Sequence, residues 1–203
     1  MKIQKIINDT YEQIHRIRTN LAYLYKFIKF VTPFLTIAFY FVFVFDYLAP
    51  DTAGKYGALV LAYLFPPAGK ESIIPLMLSS DIPIWIVWST IIIMDVISAS
   101  IIAYNWWFAE LIITHIPFLD RGYAWLQRKA EKFKKKKLLT LSLLLFMIVP
   151  FQGTGGISTP ILSRFLGVEA KKTVLIVFAG SMITTTLWIL WWKGFLDFLS
   201  GII

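Results

Sequence analysis

An all-α, polytopic membrane protein is the fold class this sequence predicts, and three observations predict it. Apolar residues make up 58% of the 203 positions and repeatedly run uncharged for about the length of a bilayer crossing. Two of those runs are broken part-way, at Pro66-Pro67-Ala68-Gly69-Lys70-Glu71 through Pro75 and at Pro150-Phe151-Gln152-Gly153-Thr154-Gly155-Gly156 through Pro160. A bilayer offers no water to an opened backbone, so such breaks persist only where protein or a wet cavity surrounds them. Finally, the basic residues cluster in a few polar segments, which is a topology signal. Together these give three full transmembrane helices, two opposed re-entrant helical hairpins and an N-terminal cytoplasmic amphipathic helix. The division is a basic helix over 1–30 and a membrane domain over 31–203, with hairpins at about 56–80 and 138–166.

Residues 1–30 lack the apolar core and small-residue cleavage site of a secretory signal, so they are expected to stay in the mature protein. Ile3, Ile7, Thr10, Ile14, Ile17, Leu21, Leu24 and Ile28 recur in alternating steps of four and three, drawing one stripe along a helix. The preferred cover for it is the cytoplasmic leaflet, with Lys2, Lys5, Arg16, Arg18, Lys26 and Lys29 near anionic headgroups; helix pairing in a homodimer is the alternative. Residues 30–45 carry no charge, and extension to Ala49 gives a first crossing. Thr32 and Pro33 suit its start, since Pro at the first helical position loses no hydrogen bond, although a kink in a longer helix is also open. Asp46 to Gly57 reads as a short polar turn.

From Tyr56 to Phe65 the chain is apolar for about 15 Å of helix, half a membrane, before it meets Pro66 and Pro67. Ser72 to Ser80 is again too short to span and suits a returning arm. Ile82 to Phe108 is the second crossing, interrupted by Asp95 and Asn105, with Trp85, Trp88, Trp106 and Trp107 near its ends, where amphipathic rings prefer the interface. The basic stretch 121–137 reads as a cytoplasmic linker. Leu138 to Arg164 is uncharged until its end but broken at Pro150, which makes a second hairpin, and Thr173 to Trp192 is the third crossing. In this drawing sixteen of the twenty basic residues lie inside, with Lys55 and Lys193 outside and Lys70 and Arg164 in the hairpins. One hairpin enters from each face and each is followed by a full helix, the arrangement of an inverted repeat.

Other classes are disfavoured. The chain has no Cys, which removes disulfides, thiol catalysis and thiolate metal sites. His15 and His115 stand far apart with no carboxylate cluster at ligand spacing, so neither metal nor cofactor is expected. A formal charge of +8 would suit nucleic acid, but its distribution marks topology, and no nucleic-acid partner is expected. No enzyme is expected, because a nucleophile–base pair, a metal cluster and a paired-carboxylate motif are all missing. Gly69-Lys70 superficially matches a nucleotide loop, yet Glu71 stands where that loop needs Ser or Thr, and its upstream Gly is absent.

Gly69-Lys70-Glu71 with Ile74-Pro75, Val149-Pro150-Phe151-Gln152-Gly153-Thr154-Gly155-Gly156, and Arg164-Phe165-Leu166-Gly167 resemble the small multidrug export protein family over about residues 57–192. A more distant likeness is to the DedA (VTT-domain) membrane proteins. That likeness implies two opposed hairpins, translocation of a polyprenyl-phosphate or phospholipid carrier, use of the proton gradient, and the cytoplasmic membrane of a prokaryote. DedA proteins carry acidic residues in the first hairpin and an arginine at the tip of the second. This chain has Glu71 alone in the first, and Gln152 and Thr154 at the second tip, with Arg164 further along.

The tips have a chemistry of their own. A helix that stops at mid-depth leaves loose N–H and C=O groups facing the cavity, and a helix N-terminus favours an anion. Gly155 and Gly156 allow close backbone approach, Lys70 adds a cation, and Arg164 would add a bidentate clamp. The substrate-binding set is therefore Lys70, Glu71, Gln152, Gly153, Thr154, Gly155, Gly156 and Arg164. Against it stand plainer roles: Lys70 pairing with a carboxylate to neutralise charge, Arg164 snorkelling to the interface, and the glycines packing helices. Asp95, about halfway along its helix, must find a partner or take a proton, so with Glu71 it is a candidate for proton coupling; pairing with Lys70 or bonding to Ser98 is the structural option. Thr184, Thr185 and Thr186 would line the cavity or join helices. The expected job is secondary transport or flipping of an anionic amphiphile, with membrane lipids as partners. A multidrug exporter and a non-transporting membrane scaffold are the alternatives.

Overall fold

The computed structural model describes residues 2–65, 68–115, 136–148 and 155–200, with Arg121, Gly122, Ala124 and Arg128 between them. In chain order the helices are α1 (Lys2–Tyr47), α2 (Pro50–Leu64), α3 (Lys70–Ser79), α4 (Ile84–Tyr104), α5 (Trp106–His115), α6 (Lys136–Ile148), α7 (Ser158–Phe165) and α8 (Ala170–Ser200). No strand occurs among the described residues. Three helices are long and apolar enough to cross a membrane: Phe30–Tyr47 within α1, Ile84–Tyr104, and Ala170–Phe198 within α8. The other short helices flanking the breaks are about 22 Å (α2), 15 Å (α3), 20 Å (α6) and 12 Å (α7) long, each less than the roughly 30 Å of a hydrocarbon core.

One open boundary is decided and two are corrected. At Pro33 the structure takes the option of a longer helix: α1 runs without interruption from Lys2 through Pro33 to Tyr47, so the basic helix and the crossing are one helix. Pro33 removes one ladder bond there, and Thr32 and Thr36 donate hydroxyl bonds to the Ile28 and Thr32 carbonyls at 2.7 and 2.9 Å, a pattern that bends helices without ending them. The stretch 46–57 is not a turn throughout, because α2 begins at Pro50, whose missing N–H costs nothing in a first turn, and Asp51 favours the positive end of the helix dipole. The second crossing ends at Tyr104 rather than Phe108. Asn105 turns its side-chain amide back onto the Ile101 carbonyl at 2.8 Å, and α5 starts afresh at Trp106. The break at Pro66-Pro67, the second tip at 149–154 and most of the 121–137 linker lie outside the described residues.

At the centre stands α4. Of its span 56% is buried, against 6% of the α1 span. One face of α4 (Ile86, Val87, Ile91, Met94) packs with Val44 of α1 and Leu48 just after it, Tyr56 and Val60 of α2, and Ile73, Ile74 and Met77 of α3, with Ile189 of α8 closing the cluster. Two phenols serve this core: Tyr56 and Tyr40 each hydrogen-bond the Thr90 hydroxyl at 2.9 Å, so their polar ends are satisfied away from water. A smaller core forms where Ala99 meets Met147 and Val177, and beside it Leu143, Val168 and Ile176 join α6 to the first half of α8. Among the described residues the order short helix, short helix, long helix thus occurs twice, as α2–α3–α4 and as α6–α7–α8. Large apolar side chains such as Phe39, Val42, Leu190 and Trp191 are exposed around the outside, as expected of a surface that meets lipid.

Candidate functional site

Four parts of the chain, α2, α3, the turn before α7 and α8, converge on one carboxylate of α4. Asp95 lies near the middle of α4 and is 2% exposed. An ionised carboxylate inside a helical bundle needs partners for all its lone pairs, and here it has them. Lys70 Nζ, from the first residue of α3, sits 2.5 Å from Oδ2, which also accepts a bond from the Ser181 hydroxyl at 2.6 Å. Oδ1 accepts from the Tyr63 hydroxyl of α2 at 2.8 Å and from the Gly156 N–H at 3.1 Å. Lys70 is equally well satisfied: besides Asp95, its ammonium donates to Ser181 at 3.2 Å and to Thr184 at 3.0 Å, both on α8. An ammonium has three donors, and all three are used.

Local sequence explains this convergence. Gly69 caps the N-terminus of α3 in an extended conformation, which starts that helix at Lys70 and aims the long side chain inward. Ser181 and Thr184 are three residues apart on α8 and therefore share a face. Gly156 meets α4 backbone to backbone: a Cβ built on it would lie 2.5 Å from Asp95 Cα and 2.7 Å from the Asp95 carbonyl oxygen, so only glycine fits. The same addition at Gly155 meets Asp95 Oδ1 at an ordinary 3.5 Å. Glu71 folds back over Gly69, and its Oε1 is buried with no hydrogen-bond partner among the described residues.

Of the residues singled out by sequence, the structure gathers Lys70, Asp95, Gly155, Gly156 and Thr184 into one centre, with Glu71 at its edge. Lys70 takes Asp95 rather than Glu71 as its charge partner. Thr185 and Thr186 point elsewhere, as successive residues on a helix must: Thr185 is buried in the bundle, and Thr186 accepts a bond from the Trp88 indole at 2.9 Å. Gln152, Gly153 and Thr154 lie outside the described residues. Arg164 is not brought to the centre. It sits at the far end of α7, where Nη1 donates to the Val168 carbonyl at 2.6 Å and the guanidinium lies 5.9 Å from the Trp106 ring centroid. Trp106 is eleven positions beyond Asp95, about 16 Å along the helix direction.

The Arg164-Phe165-Leu166-Gly167 motif has a structural reading here. Gly167 has φ 74°, the Val168 N–H bonds to the Ser163 carbonyl at 2.9 Å, and the Gly167 N–H bonds to the Arg164 carbonyl at 3.0 Å, which together form a Schellman helix stop. Phe165 meets Trp106 edge-on at 5.2 Å. Two members of the charged centre were missed by sequence reading, Tyr63 and Ser181. A tyrosine deep in an apolar run needs a hydroxyl partner, and a serine one turn before Thr184 shares its face, so both signals were present.

A family model described as "Putative small multi-drug export protein" matches residues 71–187. No curated protein and no solved structure matches the chain. The matched region begins one residue after Lys70 and holds Glu71, Asp95, Gly156, Ser181 and Thr184.

Proposed function

The chain belongs to this small multi-drug export family, and from that membership together with its buried charged centre we propose that it is an ion-gradient-driven exporter whose working element is the Lys70–Asp95 pair. In this reading α2–α3 and α6–α7 are re-entrant hairpins that enter from opposite faces as an inverted repeat, and their broken ends meet around Asp95. The observation that carries it is that Lys70, at the start of α3, and Gly156, just before α7, bind the same carboxylate on a membrane-length helix. A proton arriving at Asp95 cancels the charge that holds Lys70, and the freed ammonium receives the anionic group of the cargo. Glu71, whose Oε1 has no partner among the described residues, is the second proton acceptor, and the tip residues Gln152, Gly153, Thr154 and Gly155 complete the cargo site. The cargo class is an anionic amphiphile, a phospholipid or polyprenyl phosphate. The setting is the cytoplasmic membrane of a prokaryote, with the N-terminus inside.

Reconstitution into liposomes carrying a fluorescent phospholipid, with ethidium as a cationic drug probe, tests this reading. Phospholipid movement that accelerates when a proton gradient is imposed is the expected result. Movement indifferent to the gradient removes the coupling role of Asp95, and ethidium movement alone keeps an exporter while removing the anionic cargo. A rival reading, a non-transporting scaffold, is favoured by one observation: every donor of Lys70 and every lone pair of Asp95 is already used within the protein, as in a structural latch. Absence of any probe movement supports that rival.

A further inference from the structure

We infer that the apolar stripe of α1 is the seam of a parallel, in-register coiled coil with a second copy of this chain. This interaction is independent of the export reading. The stripe from Ile3 to Ile28 keeps steps of four and three across its whole length, a strict heptad with Ile7, Ile14, Leu21 and Ile28 at one core position and Ile3, Thr10, Ile17 and Leu24 at the other. Its flanking positions hold Gln4, Ile6, Tyr11, Gln13, Arg18, Asn20, Tyr25 and Phe27, so apolar and aromatic side chains widen the seam at both ends.

Two features of the fold choose the second copy over the lipid surface. First, α1 is continuous from the stripe into the Phe30–Tyr47 span, so its first 28 residues extend about 42 Å from the crossing in the same helix. A helix lying on the leaflet would require a sharp turn at the membrane surface, and α1 has no break there. Second, the charges are arranged for self-pairing. Among the positions that flank the seam from residue 4 to residue 27, Arg18 is the single charge, whereas Lys5, Glu12, Arg16, Lys26 and Lys29 fall on outer positions. Two parallel copies therefore meet without facing rows of like charge. A leaflet-bound helix would instead carry its cations beside the apolar stripe, where their stems could snorkel to headgroups.

The seam runs on into the span at one of its two core positions; the other ends at Phe45, which packs edge-on against Tyr56 at 5.5 Å within the monomer. Continuing the heptad reaches Leu35 and Val42, which are 65% and 70% exposed, while Val44, on the opposite side of the helix, is fully buried against the core. Leu21, Leu24 and Ile28 are likewise exposed. At Leu21, Leu24, Ile28, Leu35 and Val42 the face that α1 gives to the second copy is thus one it does not use internally.

Because the chain has no Cys, single-cysteine variants of the full-length protein in native membranes test the pairing directly. Same-position disulfides require parallel, in-register neighbours. Oxidation is expected to give a covalent dimer from Ile14→Cys and from Leu21→Cys, none from the outer-position variants Glu12→Cys and Lys26→Cys, and loss of the Leu21→Cys dimer when Ile17→Asp is added. Equal cross-linking at all four positions signals random collision and overturns the proposal. So does absence of cross-linking at the two seam positions combined with their protection from a water-soluble maleimide, the outcome expected of a helix lying on lipid.

Discussion

Lys70→Met is expected to destabilise the protein by about 3–5 kcal/mol, the scale of removing one partner from a buried ion pair. Asp95 is 2% exposed and would keep three neutral donors, from Tyr63, Ser181 and Gly156, but no countercharge. The loss falls on the carboxylate that remains, so adding Asp95→Asn should restore most of the stability, since exchanging a buried pair for neutral groups is often close to neutral. Denaturant unfolding in detergent micelles measures both. A single variant that unfolds with the parent protein means that the pair adds nothing to the fold. A double variant as unstable as the single means that the damage comes from lost packing of the lysine stem.

Gly156→Ala has the second large effect. Its methyl group would meet the α4 backbone at 2.5 Å, and a helix backbone cannot step aside as a flexible side chain can. Forcing it in costs about 1–3 kcal/mol as overpacking, or pushes the segment before α7 away from α4 and breaks the Gly156 N–H bond to Asp95. Gly155→Ala, with an ordinary contact at 3.5 Å, is the control and should be tolerated. Thermal unfolding of the two variants side by side checks the contrast, and equal melting of both would contradict the close approach.

The parts of this fold that could be read from sequence are those dictated by one-dimensional signals. Long apolar runs marked all three spans, two of them (30–45 and 173–192) free of charge and the Ile84–Tyr104 one broken by Asp95 alone, because burying an unpaired charge in hydrocarbon costs several kcal/mol. The ends of helices were less legible. Whether Pro33 begins a helix or sits inside one is not fixed by residue type, since Pro is tolerated in a first turn and also, at the cost of one ladder bond, inside a longer helix, where α1 holds it. The stop at Asn105 depends on a side-chain amide competing for the Ile101 carbonyl, which no hydropathy pattern records.

At the charged centre the same division holds. Asp95 announced itself as a carboxylate too deep to be unpartnered, and Lys70 as the cation of the first break; that they choose each other follows from tertiary packing, since they are on different helices. Arg164 shows how residue chemistry alone misleads. A guanidinium following a glycine-rich tip looks like a phosphate clamp, but the four-residue motif that contains it folds into a helix stop, with Nη1 on the Val168 carbonyl, the guanidinium beside the Trp106 ring, and Nε buried without a partner among the described residues.

Gradient-driven flux through the neutral double variant Lys70→Met, Asp95→Asn, reconstituted into proteoliposomes beside the parent protein, is the most direct test of the charged pair as the working element. The expected result is a stably folded, inserted protein whose probe movement no longer responds to an imposed proton gradient. Movement equal to that of the parent, with the same response to the gradient, would contradict it and leave Lys70 and Asp95 as a structural latch alone.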